Sequence, residues 1–225
     1  MLAFLCLILQ LSNAIAYASG TRGKHIIILA GQSNMSGRGG VQNNTWDGVV
    51  PLQSQPNPTI FRLTADLSWI EARDPLHKDI DVNATCGLGP GMSFANRLLQ
   101  RAPGLGPLGL VPCAVGGPRG TKSARESDTV NELDARMYGR RLINLFNNLR
   151  ADLGSPLLPI VQVAITSGQG PYVETVRKAQ LGIKLQKTRC VDSKGLPLLP
   201  DNLHLSTRAQ VRLGRMLANA FLKVL

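Results

Sequence analysis

The stretch HIIILAGQSNMSGRGG, residues 25–40, decides the fold. Ile26 to Leu29 form an unbroken apolar run. That is the pattern of a strand covered on both faces, as in a parallel sheet, and not of a strand with one wet face. The run stops on Gly31-Gln32-Ser33-Asn34-Met35 and a glycine cluster. Glycine allows a sharp bend, and Ser33 lies where the chain turns from strand to helix. Such a serine is either an ordinary turn residue or a nucleophile held at the bend.

The chain repeats this grammar on its carboxyl side. LGLVPCAV, residues 108–115, is a second apolar strand and ends on Gly116-Gly117. Pro159 to Thr166 is a third, followed by the turn Ser167 to Pro171, and Thr188 to Val191 is a short fourth. Helical patterns lie between them: MSFANRLLQRA after the glycine-rich turn at residues 87–91, a helix with Tyr138, Leu142, Leu145 and Leu149 on one side, and a helix from about Val173 to Gln186. A last helix carries Val211, Leu213, Leu217, Ala220 and Leu222 on its apolar side. Residues 41–59 read as a loop, and residues 59–72 as a surface hairpin. Strands alternating with helices imply an α/β fold with a mostly parallel sheet and helices on both faces. Ligands of such sheets bind at the carboxyl ends of the strands. Ser33, Gly116-Gly117 and the turn at Ser167 are therefore expected on one rim.

Length and composition set the bounds. The chain has 225 residues, 44% of them hydrophobic and 17% charged, which suits one globular core. Leu2 to Leu11 is apolar and Ala16-Tyr17-Ala18 is a small-x-small site, so residues 1–18 are expected to be a secretory signal peptide. A membrane anchor is the alternative, but the run is short for a span. The reading leaves a single domain over residues 19–225, secreted and without a membrane segment.

Net charge is +11, from 25 Lys and Arg against 14 Asp and Glu. Such a surface attracts polyanions, which for a secreted protein are acidic glycans; the plainer alternative is a basic surface that serves solubility. Nucleic acid is not expected, because aromatics are only 4% of residues and no binding motif is present. Beyond the leader, Cys86, Cys113 and Cys190 allow at most one internal disulfide, so this is no disulfide scaffold. Cys113 and Cys190 lie in strand-like runs and read as buried small hydrophobes. No metal-ligand spacing, phosphate loop or dinucleotide fingerprint occurs, so neither metal nor cofactor is expected. Asn43 and Asn83 head loop sequons and are glycosylation candidates; Asn34 heads a third but lies beside Ser33.

A serine needs a base to become a nucleophile, commonly a histidine oriented by a carboxylate. The chain has three histidines. His25 starts the first strand, at the rim away from Ser33. His77 and His204 each follow an aspartate by three residues, in Asp74-Pro75-Leu76-His77 and Asp201-Asn202-Leu203-His204. In a turn that spacing lets the carboxylate reach the imidazole, although it also arises by chance. Position favours the second copy, which lies between the last strand and the last helix. An oxyanion needs preorganised donors, and the Ser33 N–H and those of Gly116-Gly117 are candidates beside the simpler reading of a strand-ending turn.

Together GQSNMSGRGG, WDGVVP, DPLHKDID, GLGPGMSFANRLL, GLVPCAVGG, ESDT, LPIVQVAI and DNLHLS, in this order, resemble the plant branch of the sialate O-acetylesterase domain family, probable carbohydrate esterases of the SGNH hydrolase superfamily. The resemblance implies a three-layer, flavodoxin-like fold and a serine esterase acting on acetylated cell-wall polysaccharide. It implies Ser33 as nucleophile, His204 as general base, Asp201 as its orienting acid, and Gly117 or Gly116 in the oxyanion hole. His77 matches a motif of the plant members that is not the catalytic one.

One departure stands out. After Gly117 the family continues through a helix and a strand to a motif like W-Y-Q-G-E-S-D-T. Here PRGTKSAR leads straight to Glu126-Ser127-Asp128-Thr129. A central strand and an oxyanion donor are expected to be missing, with Arg119, Lys122 and Arg125 beside the gap. The helix around Tyr138 would then bring Pro159 to Thr166 next to the first strand in a sheet one strand short. The alternative to an esterase is a catalytically impaired relative that binds glycans; a lipid or general ester hydrolase ranks below both.

Overall fold

The apolar run Ile26 to Leu29 becomes the central strand of a sheet. The computed structural model describes residues 7–11, 23–116, 127–167 and 170–225. His25–Ala30 (β2) follows an amino-terminal strand, Leu7–Leu11 (β1), and leads into a single helical turn, Ser33–Ser36 (α1). A small separate hairpin, Val41–Gln42 (β3) and Thr45–Trp46 (β4), interrupts the stretch expected to be loop. Then come Ile60–Leu63 (β5), Trp69–Glu71 (β6), Gly91–Arg101 (α2) and Leu108–Pro112 (β7). The remainder is Ser127–Val130 (α3), Glu132–Asp152 (α4), Ile160–Ala164 (β8), Val173–Leu181 (α5), Thr188–Asp192 (β9) and Thr207–Phe221 (α6).

The seven-stranded sheet has the order β6-β5-β7-β2-β1-β8-β9. β5, β7 and β2 run parallel, as do β8 and β9. Two expectations need correction here. Residues 59–72 do form a hairpin, but it belongs to the main sheet: Ile60 pairs with Leu108, and Ile60 and Arg62 are buried. Pro159 to Thr166 does not lie beside the first strand. β1 lies between them, antiparallel to both, with Leu7 opposite Ala30 and Ile8 opposite Val161. Without it, β2 and β8 would each present an open edge of unpaired N–H and C=O groups, and Leu-Ile-Leu-Gln-Leu is apolar enough to fill the slot. The expected cleavage site at Ala16 to Ala18 lies outside the described residues.

Two apolar layers sandwich the sheet. One joins Leu29, Leu110 and Val163 to Phe94 and Leu98 of α2 and to Leu213, Leu217 and Phe221 of α6. Phe94 and Phe221 meet edge to face, ring centroids 5.8 Å apart. The other joins Ile160 to Tyr138, Leu142 and Phe146 of α4 and Val176 of α5. This is the three-layer α/β arrangement. α5 stops at Leu181, with Gly182 as its C-cap residue, short of the expected Gln186. Cys113 is exposed, since it falls just past the end of β7, and Cys190 is half-buried; neither is the buried hydrophobe expected. Cys86 is buried, and all three are free thiols. Among the described residues no helix is long and apolar enough to cross a membrane.

Candidate active site

The parallel strands β2, β7, β8 and β9 all end on the same rim, and the chain's polar turns collect there. Ser33 opens α1 three residues beyond β2. A one-turn helix has no earlier carbonyl to receive its first N–H groups, so the Ser33 N–H faces outward by construction. His204 lies in the loop between β9 and α6. Its Nε2 is 3.0 Å from Ser33 Oγ, and its Nδ1 is 2.6 Å from Asp201 Oδ2. The second D-x-x-H is thus a tight turn: Asp201 Oδ1 also accepts the backbone N–H groups of Leu203 and His204, each at 2.9 Å. Partial burial pushes the Asp201 carboxyl upward, but those N–H groups and the imidazole outweigh it and hold the carboxyl below the ordinary range.

The histidine is pinned from the turn that carries Ser33. Asn34 Oδ1 accepts the Leu205 N–H at 2.8 Å, and Ser167 Oγ donates to the Leu203 carbonyl at 2.7 Å. Gln210 of α6 donates to the Asn34 carbonyl at 3.0 Å. Ser206 caps α6 by accepting the Ala209 N–H, which fixes the loop's exit. Asn34 is therefore committed to a structural role, whereas Asn43 and Asn83, the other sequon asparagines, are exposed.

Beneath Ser33 lies a buried ion pair that pattern reading missed. Arg38 and Asp81 are 6% and 0% exposed, with Arg38 Nη2 2.5 Å from Asp81 Oδ2. Arg38 also donates to Ser36 Oγ and to the Gly37 carbonyl, both at 2.9 Å, and Ser36 Oγ donates to Asp81 at 2.8 Å. Burial raises the Asp81 carboxyl, but Arg38, Ser36 and the Gly116 backbone N–H outweigh it and hold the carboxyl below its usual value. That contact bears on the oxyanion hole. Gly116 lies between the ion pair and Ser33. A Cβ on it would come within 2.5 Å of Arg38 Nη2 and 3.5 Å of Ser33 Cβ. Gly117, together with Arg119, Lys122 and Arg125, lies outside the described residues. The only sequence signal for the pair was an arginine set among glycines, Gly37-Arg38-Gly39-Gly40, with no partner identifiable along the chain.

The other histidines lie elsewhere. His77 is buried, its Nε2–H pointing at the Leu29 carbonyl 3.3 Å away; burial pushes its pKa down to about 4. Asp74 is half-buried with both carboxyl oxygens shielded, and desolvation pushes it up to about 7 against the opposing backbone N–H groups of Gly89 and Leu76. The first D-x-x-H is thus a packed corner under the sheet. His25 starts β2 at the far rim, its N–H donating to the Pro107 carbonyl at 3.0 Å.

Known proteins share this chain's sequence and fold. The family model described as carbohydrate esterase, sialic acid-specific acetylesterase, matches residues 23–122 and 125–223. A probable carbohydrate esterase of Arabidopsis thaliana is 48% identical over 234 residues, covering 88% of this chain and 90% of that protein. That alignment is longer than this 225-residue chain, so the relative carries residues that this chain lacks. Its crystal structure, 46% identical, superposes with a TM-score of 0.81 over 88% of this chain and 97% of the other. A carbohydrate acetylesterase from Xanthomonas citri, at 14% identity, shares the fold with a TM-score of 0.62 over all of this chain and 69% of its own.

Proposed function

From a chain that belongs to the sialic acid-specific acetylesterase family of carbohydrate esterases, we propose a secreted serine esterase that removes O-acetyl groups from cell-wall polysaccharide. The observation that carries the reading is the Ser33–His204–Asp201 relay, with contacts of 3.0 and 2.6 Å. His204 Nε2 takes the proton as Ser33 Oγ attacks the acetyl carbonyl. The tetrahedral oxyanion is received by the Ser33 N–H and by Gly117. Collapse expels the sugar oxygen, which takes the proton back from His204 and leaves an acetyl-enzyme. Water, activated by the same imidazole, then attacks the acetyl carbon and releases acetate and free Ser33. Asp201 stays ionised throughout, fixes the imidazole tautomer and stabilises the imidazolium. Exposed Asn43 and Asn83 would carry glycans in the secretory pathway.

The second reading, an impaired relative that binds glycans, is favoured by one feature: the family's W-Y-Q-G segment is absent between Gly117 and Glu126. Loss of one oxyanion donor costs about a hundred- to a thousandfold in turnover. Hydrolysis of a chromogenic acetate ester and acetate release from O-acetylated xylan, measured for the native protein and for Ser33→Ala, separate the two. The esterase reading expects activity in the native protein that Ser33→Ala removes. Equal background rates in two folded proteins would sink it in favour of binding alone.

A further inference from the structure

Helix α6 presents Arg208, Arg212 and Arg215 on one exposed side, at spacings of four and three. No acidic residue occurs anywhere in residues 207–221. The three arginines line an open cleft of about 680 Å³ together with Pro51, Pro197 and Val211. Among the described residues no carboxylate lines this cleft, and none of the three arginines forms an ion pair. Some exposed cations elsewhere are matched, Arg73 to Glu71, Arg136 to Glu132 and Lys194 to Glu174, whereas others such as Arg189 and Lys223 form no ion pair among the described residues.

The position of the cleft matters as much as its charge. Pro197 and Thr207, both at its edge, bracket the loop that carries His204. The Pro197 carbonyl accepts the Ser206 N–H at 3.0 Å, and the His204 carbonyl accepts the Leu199 N–H at 2.7 Å. On the other side, Thr207 packs beside Gly39 of the nucleophile's turn. The cleft therefore starts at the catalytic rim and runs down the outer side of α6.

We propose that this cleft binds the uronate-bearing backbone of an acidic polysaccharide and holds the polymer beside Ser33; the role beside Ser33 rests on the esterase reading above. Guanidinium forks match carboxylates two-pronged, and three of them on one helix side suit a chain of repeating carboxylates. The proline rings, Val211 and the arginine stems form an apolar floor against which the C–H faces of sugar rings pack. The amino end of α6, at Thr207, adds positive potential at the cleft's mouth.

A second cleft provides an internal control. Lys184, Lys187, Arg189 and Lys223 line about 470 Å³ at the amino end of β9, on the opposite rim. If overall charge alone attracts polyanions, both clefts matter equally. The test compares Arg208→Gln/Arg212→Gln/Arg215→Gln with Lys184→Gln/Arg189→Gln/Lys223→Gln, each lacking three positive charges. Binding to polygalacturonate is measured at low and high salt, beside turnover of a small neutral acetate ester. The expected result is at least a tenfold loss of affinity in the α6 variant, under threefold in the control, and unchanged small-ester turnover in both. Equal losses in the two variants, salt-independent binding, or tighter binding of single-stranded nucleic acid than of polygalacturonate would overturn the proposal. Native protein that binds through α6 but hydrolyses no ester would refute the esterase reading and leave the cleft standing.

Discussion

At the scale of residues, His204 reaches Ser33 because its neighbours are held from several sides. Asn34, Ser167 and Asp201 hold Leu203 to Leu205, and the Arg38–Asp81 pair holds the floor. Asp81→Asn tests the floor. It leaves Arg38 buried without a carboxylate, which costs about 3–5 kcal/mol of stability. It also frees the Gly116 loop against Ser33, and a displacement of 1 Å can cost about a hundredfold in rate. Turnover per folded molecule should therefore fall about ten- to a hundredfold with KM little changed. Unaltered turnover in the folded fraction would reduce the pair to a packing role.

A second residue-scale prediction concerns pH. Asp74 titrates at about 7 in the folded protein against an ordinary value of 3.8, so between those values the folded state keeps a proton that the unfolded state has lost. Its contribution to stability is full below the lower value and is lost as pH rises through the upper one. His77, at about 4 against 6.5, works in the opposite sense over nearly the same window, because only the unfolded state takes up its proton. Asp74→Asn removes the first effect alone. Denaturant melts from pH 4 to 7.5 should show stability rising more steeply with pH in Asp74→Asn than in the native protein. Parallel curves would contradict the buried, protonated carboxyl. Ser33, Asp201 and His204 were legible from the sequence because their spacing is local or their turn is stereotyped. Arg38 and Asp81 were not, since a buried pair 43 residues apart leaves no periodic trace.

At the scale of elements, the strands and helices around the core followed from apolar runs and helical spacing, and so did the rim on which their turns meet. The seat of Leu7–Leu11 did not. An apolar run of that kind at an amino terminus carries the same composition whether it is a leader or a strand, and an antiparallel partner can arrive from any distance along the chain. The proposed secretion removes residues 1–18 and β1 with them, so the strand belongs to the uncleaved chain, which makes it testable. Protein starting at residue 19 should expose the edges of β2 and β8, melt lower than the full chain and associate through those edges. Melting temperatures and sedimentation profiles that match between the two forms would show that the strand adds nothing to the sheet.

At the scale of the molecule, the three layers place apolar cores on both faces and leave the carboxyl rim free for polar turns. The net charge of +11 is spread over that surface, and the cleft along α6 is where it meets an apolar floor beside the rim. The central claim is that the first strand ends on a nucleophile. It is tested most directly by mixing the native protein with a chromogenic acetate ester, quenching in acid within the first turnovers, and mapping the acetyl group by peptide mass spectrometry. The account predicts acetylation on the peptide containing Ser33, at that side chain, and none in Ser33→Ala. Ester turnover with no acetyl group on Ser33, or equal acetylation of the Ser33→Ala protein, would contradict it.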